Sequence, residues 1–512
     1  MEYDELIPEM EFDANGENLL QSGYGSEEDG FEQVTYFNSD VAKYSRNGKT
    51  LFSCSKDIEG LFEIPEGVEL VAAEAFRNCE KITSVRIPAT LRNIGRDAFR
   101  EISGIETFEV APGNIHFTAE DSGRILCSSD FTSLIKVSSA IGDTFAVPEM
   151  FTEVREFAFY GCAGIKKVIL PDTVTVVGRN AFADCRKLKD VRLGKMIAKL
   201  PGWVFRNCVS LSKIELSPAL RRIGTGAFSG CVNLKKIRIP EEVNTIGNDA
   251  FADCRSLTEI FIPAKVKNIG VSAFDGCMNL EKFDVDEDNR KFSAEDGLLY
   301  NKYQTALLRC PQTKKTAEVP ELVSDIEESA FSGCTRLKNI ALPPYINQIR
   351  NYTFADCISL EEIGIPENVL SIGRGAFENC ISLENIKFGG HLRVITDFAF
   401  AGCKSLKELS LPDSLTEIGE AKAAGNMERG NTFNGCTSLE TLHLPDRVEY
   451  LNEYCFCNCK NLRVVTLPRA LNYVDKDLFF GCDNLKRVVL RNPETEIEAG
   501  AFAEDVVVEV EE

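Results

Sequence analysis

The stretch LKKIRIPEEVNTIGNDAFADC, from Leu234 to Cys254, decides the fold of this chain. It opens with Leu234-x-x-Ile237-x-Ile239, whose last two apolar residues share one face of a strand and point inward while Arg238 between them points out. Pro240 ends the strand and Gly247 is expected to permit a turn. Ala250, Phe251 and Cys254 then close the unit with a small residue beside a ring. The unit cannot bury its own apolar residues. It recurs with a 23-residue period, so stacked copies would place Leu on Leu, Ile on Ile and Phe on Phe in one continuous core.

The marker phenylalanine falls at Phe76, Phe99, Phe159, Phe182, Phe205, Phe228, Phe251, Phe274, Phe331, Phe354, Phe377, Phe400, Phe433, Phe456, Phe479 and Phe502, which gives sixteen coils. Three gaps exceed 23 residues. Two carry similar inserts: Phe117-x-x-Glu120-Asp121-Ser122-Gly123-Arg124-Ile125-Leu126 matches Phe292-x-x-Glu295-Asp296-Gly297-Leu298-Leu299-Tyr300, and polar turn residues and a second apolar run follow each. That is hairpin chemistry. The third gap holds the polar loop Gly419–Asn431. The expected organisation is an acidic, disordered tail over 1–33, a capping segment over 34–64 and a solenoid over 65–510, with hairpin inserts near 112–140 and 287–315 and a loop insert near 419–431.

The spacing LxxIxIPxxVxxIGxxAFxxC resembles the BspA-like leucine-rich-repeat family, as do the inserted hairpins. The resemblance implies a leucine-rich-repeat solenoid of about sixteen 23-residue coils, with a parallel β-sheet on its concave face and a short helical or irregular convex wall. It also implies non-enzymatic protein binding, in secreted members often adhesion to host or matrix proteins.

Composition narrows the function classes. The 512-residue chain has a net charge of −22, and twelve acids with no base precede Lys43. An acidic protein repels phosphate backbones, so the totals argue against nucleic acid and for a protein partner, basic ones included. No apolar run reaches the roughly 20 residues needed to span a bilayer, and Met1–Phe12 has neither the charge nor the apolar stretch of a secretory leader. The expected location is the cytoplasm; a native start upstream of Met1 that adds a leader would make the chain a secreted one.

Nineteen cysteines invite a disulfide or metal reading, but fourteen stand three residues after a marker Phe. Their side chains would run parallel up the stack as small buried groups, poor geometry for bridging. In Cys455-Phe456-Cys457-Asn458-Cys459 only Cys457 is not explained by the repeat. His116, His391 and His443 lie in different coils, and no phosphate-cradling glycine motif occurs. The expectation is therefore no catalytic residue, no metal and no cofactor. Trp203 has two readings, packing or partner anchor.

The outward strand positions are the candidate binding surface, because solenoids bind on that face. The candidates are Lys167, Ile169, Arg192, Glu215, Lys236, Arg238, Phe261, Lys387 and His443. The expected protein is a monomeric, non-catalytic interaction solenoid; the alternatives are a secreted adhesin and an acidic regulator that masks a basic protein.

Overall fold

A computed structural model describes residues 41–419 and 430–511. The acidic tail and most of the polar loop fall outside these residues. The chain divides into two compact units, Met1–Cys231 and Val232–Glu512.

Within the first unit each coil contributes strands to two rows. In the outer row Thr144–Ala146, Lys167–Ile169, Asp190–Arg192 and Lys213–Glu215 pair in parallel, so that Ala146, Ile169, Arg192 and Glu215 stand in register. Val168 and Val191 lie buried between outward neighbours, as the strand period of two requires. In the second row Glu153–Val154 pairs with Val176–Val177, and Lys199–Leu200 with Arg222–Ile223. The chain enters through an antiparallel pair, Ala42–Tyr44 on Thr50–Cys54, within the expected capping segment.

The second unit repeats the plan. Its outer row is interrupted into short ladders, Glu259–Ile262 with Lys282–Val285, Thr316–Glu318 with Asn339–Ala341, and Glu362–Gly364 with Asn385–Lys387. A longer ladder runs through Thr441–His443, Val464–Leu467, Arg487–Leu490 and Val507–Val510. Its marker rings stack: Phe354, Phe377, Phe400, Phe433 and Phe456 follow one another with centroids 5.1 to 5.3 Å apart and nearly parallel planes.

The wall opposite the strands is not helical, and among the described residues there is no helix at all. The reason is local. The residues two before and two after the marker Phe adopt left-handed conformations, with φ near +53° and +59° at Asn180 and Asp184 around Phe182 and near +54° and +59° at Tyr352 and Asp356 around Phe354. Two such residues in five break any right-handed helix. They also turn the wall N–H groups toward the next coil, where Phe182 N donates to Val204 O at 2.9 Å and Asp184 N to Arg206 O at 2.8 Å. The wall thus forms a third ladder along the stack. The repeat glycine acts differently from its expected turn role. At Gly178, Gly224 and Gly373 a Cβ would come within 2.3 to 2.7 Å of the preceding coil's backbone, so glycine here permits close stacking.

Both inserts are antiparallel hairpins, Phe117–Glu120 on Ile125–Ser128 and Phe292–Glu295 on Leu298–Asn301. Each is tied down by one asparagine three residues before the hairpin's first Phe. Asn114 Nδ2 donates to Pro88 O and Leu91 O while its Oδ1 accepts from His116 N and Phe117 N. Asn289 repeats this with Pro263 O, Val266 O, Lys291 N and Phe292 N. After each hairpin the chain runs parallel to the next coil, Ser133–Val137 against Glu153–Val154 and Ala306–Arg309 against Asp325–Ile326. Each insert therefore closes a turn of solenoid that has no marker Phe.

Candidate functional site

In the first unit the outward candidates spend much of their charge on one another. Lys167 pairs with Asp190 at 3.1 Å, and Arg192 stands 3.9 Å from Glu215, each pair bridging adjacent coils. Ile169 lies half-buried between Ala146 and Arg192. In the second unit Lys236 meets Glu259 at 2.9 Å, and Lys282 meets Asp284 at 2.6 Å. Phe261 shares its strand with Glu259 and stands opposite Asp284, 42% exposed between the buried Ile260 and Ile262. Arg238 is the most extended of the candidates: its side chain is 91% exposed, with Glu241 4.0 Å away. Lys387 is exposed opposite Gly364. His443 Nδ1 lies 2.9 Å from Thr466 Oγ1, which explains why an outward threonine is buried. The nine candidates do not converge. They form separate stretches of the two units' strand rows.

Trp203 is accounted for by packing. Its ring occupies the space that a Cβ on Gly226 would need, 2.1 Å from Cε3, and Tyr352 covers Gly375 in the same manner. An aromatic residue two before the marker Phe thus stands against a glycine at that position in the next coil. That pairing is legible in the sequence once the register is known.

All nineteen cysteines are free and eighteen are buried. The ladder thiols have a bonding role beyond filling space. Cys208 Sγ donates to Phe182 O at 3.1 Å, Cys380 Sγ to Phe354 O at 3.2 Å and Cys403 Sγ to Phe377 O at 3.2 Å, each reaching back one coil. Burial pushes these thiols well above their ordinary range, so they stay protonated and donate. Cys455, Cys457 and Cys459 are buried, and Cys457 Sγ accepts from Asn458 Nδ2. Among the described residues no group of three His, Cys, Asp or Glu side chains is placed to hold a metal ion.

The first hairpin borders an open cleft of about 840 Å³ lined by Glu109, Ala111, Asn114, Thr118 and Phe131 among others. Glu109, the only charged residue lining it, is bound to Arg86 at 2.8 Å. A lone, already paired carboxylate offers no general acid–base couple. His391 Nδ1 contacts Glu367 O at 3.0 Å and has no part in any cluster of reactive groups.

Two cations escape sequence reasoning because the repeat has no place for them. Lys136, only 2% exposed, directs Nζ at Ile102 O, Phe157 O and Tyr160 O, at 3.1, 3.0 and 3.4 Å. Burial lowers its pKa to about 8. Arg309 holds the equivalent position after the second hairpin, donating to Ser329 O at 2.6 Å and to Ser332 O at 3.4 Å, with Asp275 2.7 Å away.

The sequence profile of the BspA type leucine-rich repeat region matches residues 46–122, 152–281, 304–425 and 429–510, in six copies. The chain belongs to the BspA-type leucine-rich-repeat family. The two wider breaks in the match, after residue 122 and after residue 281, coincide with the hairpin turns that Lys136 and Arg309 complete. Among solved structures, this BspA-type chain is similar to a leucine-rich repeat protein from Eubacterium ventriosum, with 24% identity, 68% of this chain and 87% of that chain covered, and a TM-score of 0.49. It is also similar to a leucine rich cell surface protein from Faecalibacterium prausnitzii, with 20% identity, 90% and 95% covered, and a TM-score of 0.39. The pneumococcal vaccine antigen PcpA aligns at 20% identity over 77% of this chain and 93% of that one, with a TM-score of 0.45. No relative was found among curated protein sequences. No helix among the described residues is long and apolar enough to cross a membrane.

Proposed function

We propose that this chain is a non-catalytic solenoid that binds a protein partner on the outer strand row of its second unit, with Phe261 as the apolar anchor and Arg238 as the charged contact beside it. The observation that carries the reading is Phe261 itself. Its strand neighbours Ile260 and Ile262 satisfy the core, while its ring is turned to solvent. The charges around it are committed to the pairs Lys236–Glu259 and Lys282–Asp284, a polar rim that can stay hydrated around a buried anchor. An aromatic anchor inside a polar rim is the arrangement found at interface hot spots. Arg238 extends beyond that rim and can pair bidentately with a partner carboxylate. Lys387 and His443, on the same unit, are secondary contacts in this reading. Free thiols throughout support a reducing compartment as its place of work.

The test is capture on immobilised protein. A partner retained by the native chain is expected to be lost by Phe261→Ala combined with Arg238→Glu at an unchanged melting temperature. Equal retention by both chains contradicts the assignment.

A further inference from the structure

The total charge of −22 conceals a segment of opposite sign. Residues 166–222 hold thirteen Lys and Arg against four Asp and Glu, a net of +9 within one acidic chain. None of the thirteen is buried. The four acids are already committed: Asp172 to Lys195, Asp184 to Arg186 and Arg206, Asp190 to Lys167, and Glu215 to Arg192. Arg179, Lys187, Lys189, Lys213 and Arg221 are exposed and make no ion pair among the described residues. An anionic ligand would offset the excess positive charge of this belt.

We propose that this belt is the docking surface for the chain's own acidic N-terminal segment, residues 1–40. That segment carries twelve acids and no base, a charge that complements the belt. Its length is sufficient: forty residues extend up to about 130 Å. The belt begins within roughly 35 Å of Ala42, counting strands at about 4.8 Å each. Tethering holds the segment at an effective concentration on the order of millimolar, where even a weak polyelectrolyte contact is largely formed. The belt includes Lys167, Arg192 and Lys213 of the outer strand row, so the docked segment covers part of that row in the first unit. This inference is independent of the anchor proposed at Phe261.

The experiment is zero-length carbodiimide crosslinking of the full chain, read by mass spectrometry, with an equal mixture of isotopically light and heavy protein. Intramolecular crosslinks from the acids of residues 1–40 to Lys187, Lys189 or Lys213 are expected at low salt. They are expected to vanish at about 0.5 M salt, where screening is short-ranged, and to weaken in the variant Arg179→Glu, Arg221→Glu, which keeps every lysine amine. In parallel, a fluorescent polyglutamate of about forty residues is titrated against the native chain and a full-length chain with the twelve acids changed to Asn or Gln. The neutralised chain is expected to bind it roughly tenfold more tightly, having lost its tethered competitor. Crosslinks that join light to heavy copies overturn the intramolecular assignment in favour of a second copy. Polyglutamate or duplex DNA binding that is tight and indifferent to neutralisation overturns it in favour of an external polyanion, and absence of crosslinks to the belt overturns it outright.

Discussion

A regular coil and a hairpin-closed turn solve the same problem by different means. Around Phe354 the wall backbone supplies the donors: Phe354 N reaches Ala376 O at 2.7 Å and Asp356 N reaches Glu378 O at 2.8 Å. Before Phe331 no such wall exists, because the hairpin at 292–301 replaced it. One backbone donor remains, Cys310 N to Ala330 O, and the side chains of Arg309 and Gln312 take the carbonyls of Ser329 and Ser332. Before Phe159 the same division falls to Val137 N and to Lys136. The difference teaches that in both inserts a long cation adds donors to wall carbonyls that a regular coil serves with backbone N–H groups. The two replacements are not equal. Arg309 stands beside Asp275, whereas Lys136 meets three carbonyls and the Tyr160 ring, 6.0 Å away, with no carboxylate paired to it among the described residues.

The sharpest break of this comparison is a ring inside a regular stretch. Phe377→Ala empties the space between two stacked rings and is expected to cost about 3–5 kcal/mol in chemical denaturation. Next comes the knot of a hairpin turn. Asn289→Ala removes two bonds to carbonyls and two from N–H groups at a buried site, and each group left unpaired costs about 1–3 kcal/mol before water compensates. The exposed Asn279→Ala, one carbonyl contact, serves as the contrast and should lie within about 0.5 kcal/mol of native.

Lys136 sharpens the comparison through pH. Its pKa is lowered from 10.5 to about 8 in the folded chain. Below about pH 8 the buried ammonium is charged in the folded state, and its desolvation cost is fully present. Between about 8 and 10.5 the unfolded chain binds more protons, so this group's contribution makes stability rise with pH. The stability of the native chain relative to Lys136→Met is therefore expected to increase across that window by about 2–3 kcal/mol. A flat difference would show that the lysine is neutral, or solvated, throughout. The smallest effect belongs to the thiol ladder: Cys380→Ala removes one weak donor and little volume, for about 1 kcal/mol. In the native state Cys54, the one cysteine not buried, should be the first to meet a thiol reagent, but slowly, because its hydrogen bond with Cys79 and its burial hold the thiol protonated.

How much was legible follows the same line between repeat and exception. The stack of marker rings, the ladder cysteines and the two inserts could be read from period alone, because identical residues at identical spacing must meet. The family resemblance implies a short helical or irregular wall, yet the Asn, Asp and Gly two residues after the marker Phe, as at Asn78, Asp184, Gly230 and Asn379, mark a left-handed position. The tie at Asn289 and the cations Lys136 and Arg309 were not legible, since each acts once per insert on carbonyls from neighbouring turns. On the strand rows the sequence showed which residues face out. It could not show that Lys167, Arg192, Glu215 and Lys236 pair across coils, because ion pairing depends on side-chain reach and not on period. The basic belt could be counted directly and was hidden by the net total.

The central functional claim is that the partner is met at Phe261. It is tested most directly by placing a photo-crosslinking phenylalanine analogue at position 261 of the full chain and, separately, at Met278, an exposed residue of the turn wall in the same unit. The account predicts that irradiation joins the captured partner to the chain at 261 and leaves the 278 chain unlinked. Equal crosslinking at both positions, or crosslinking at 278 alone, would contradict it.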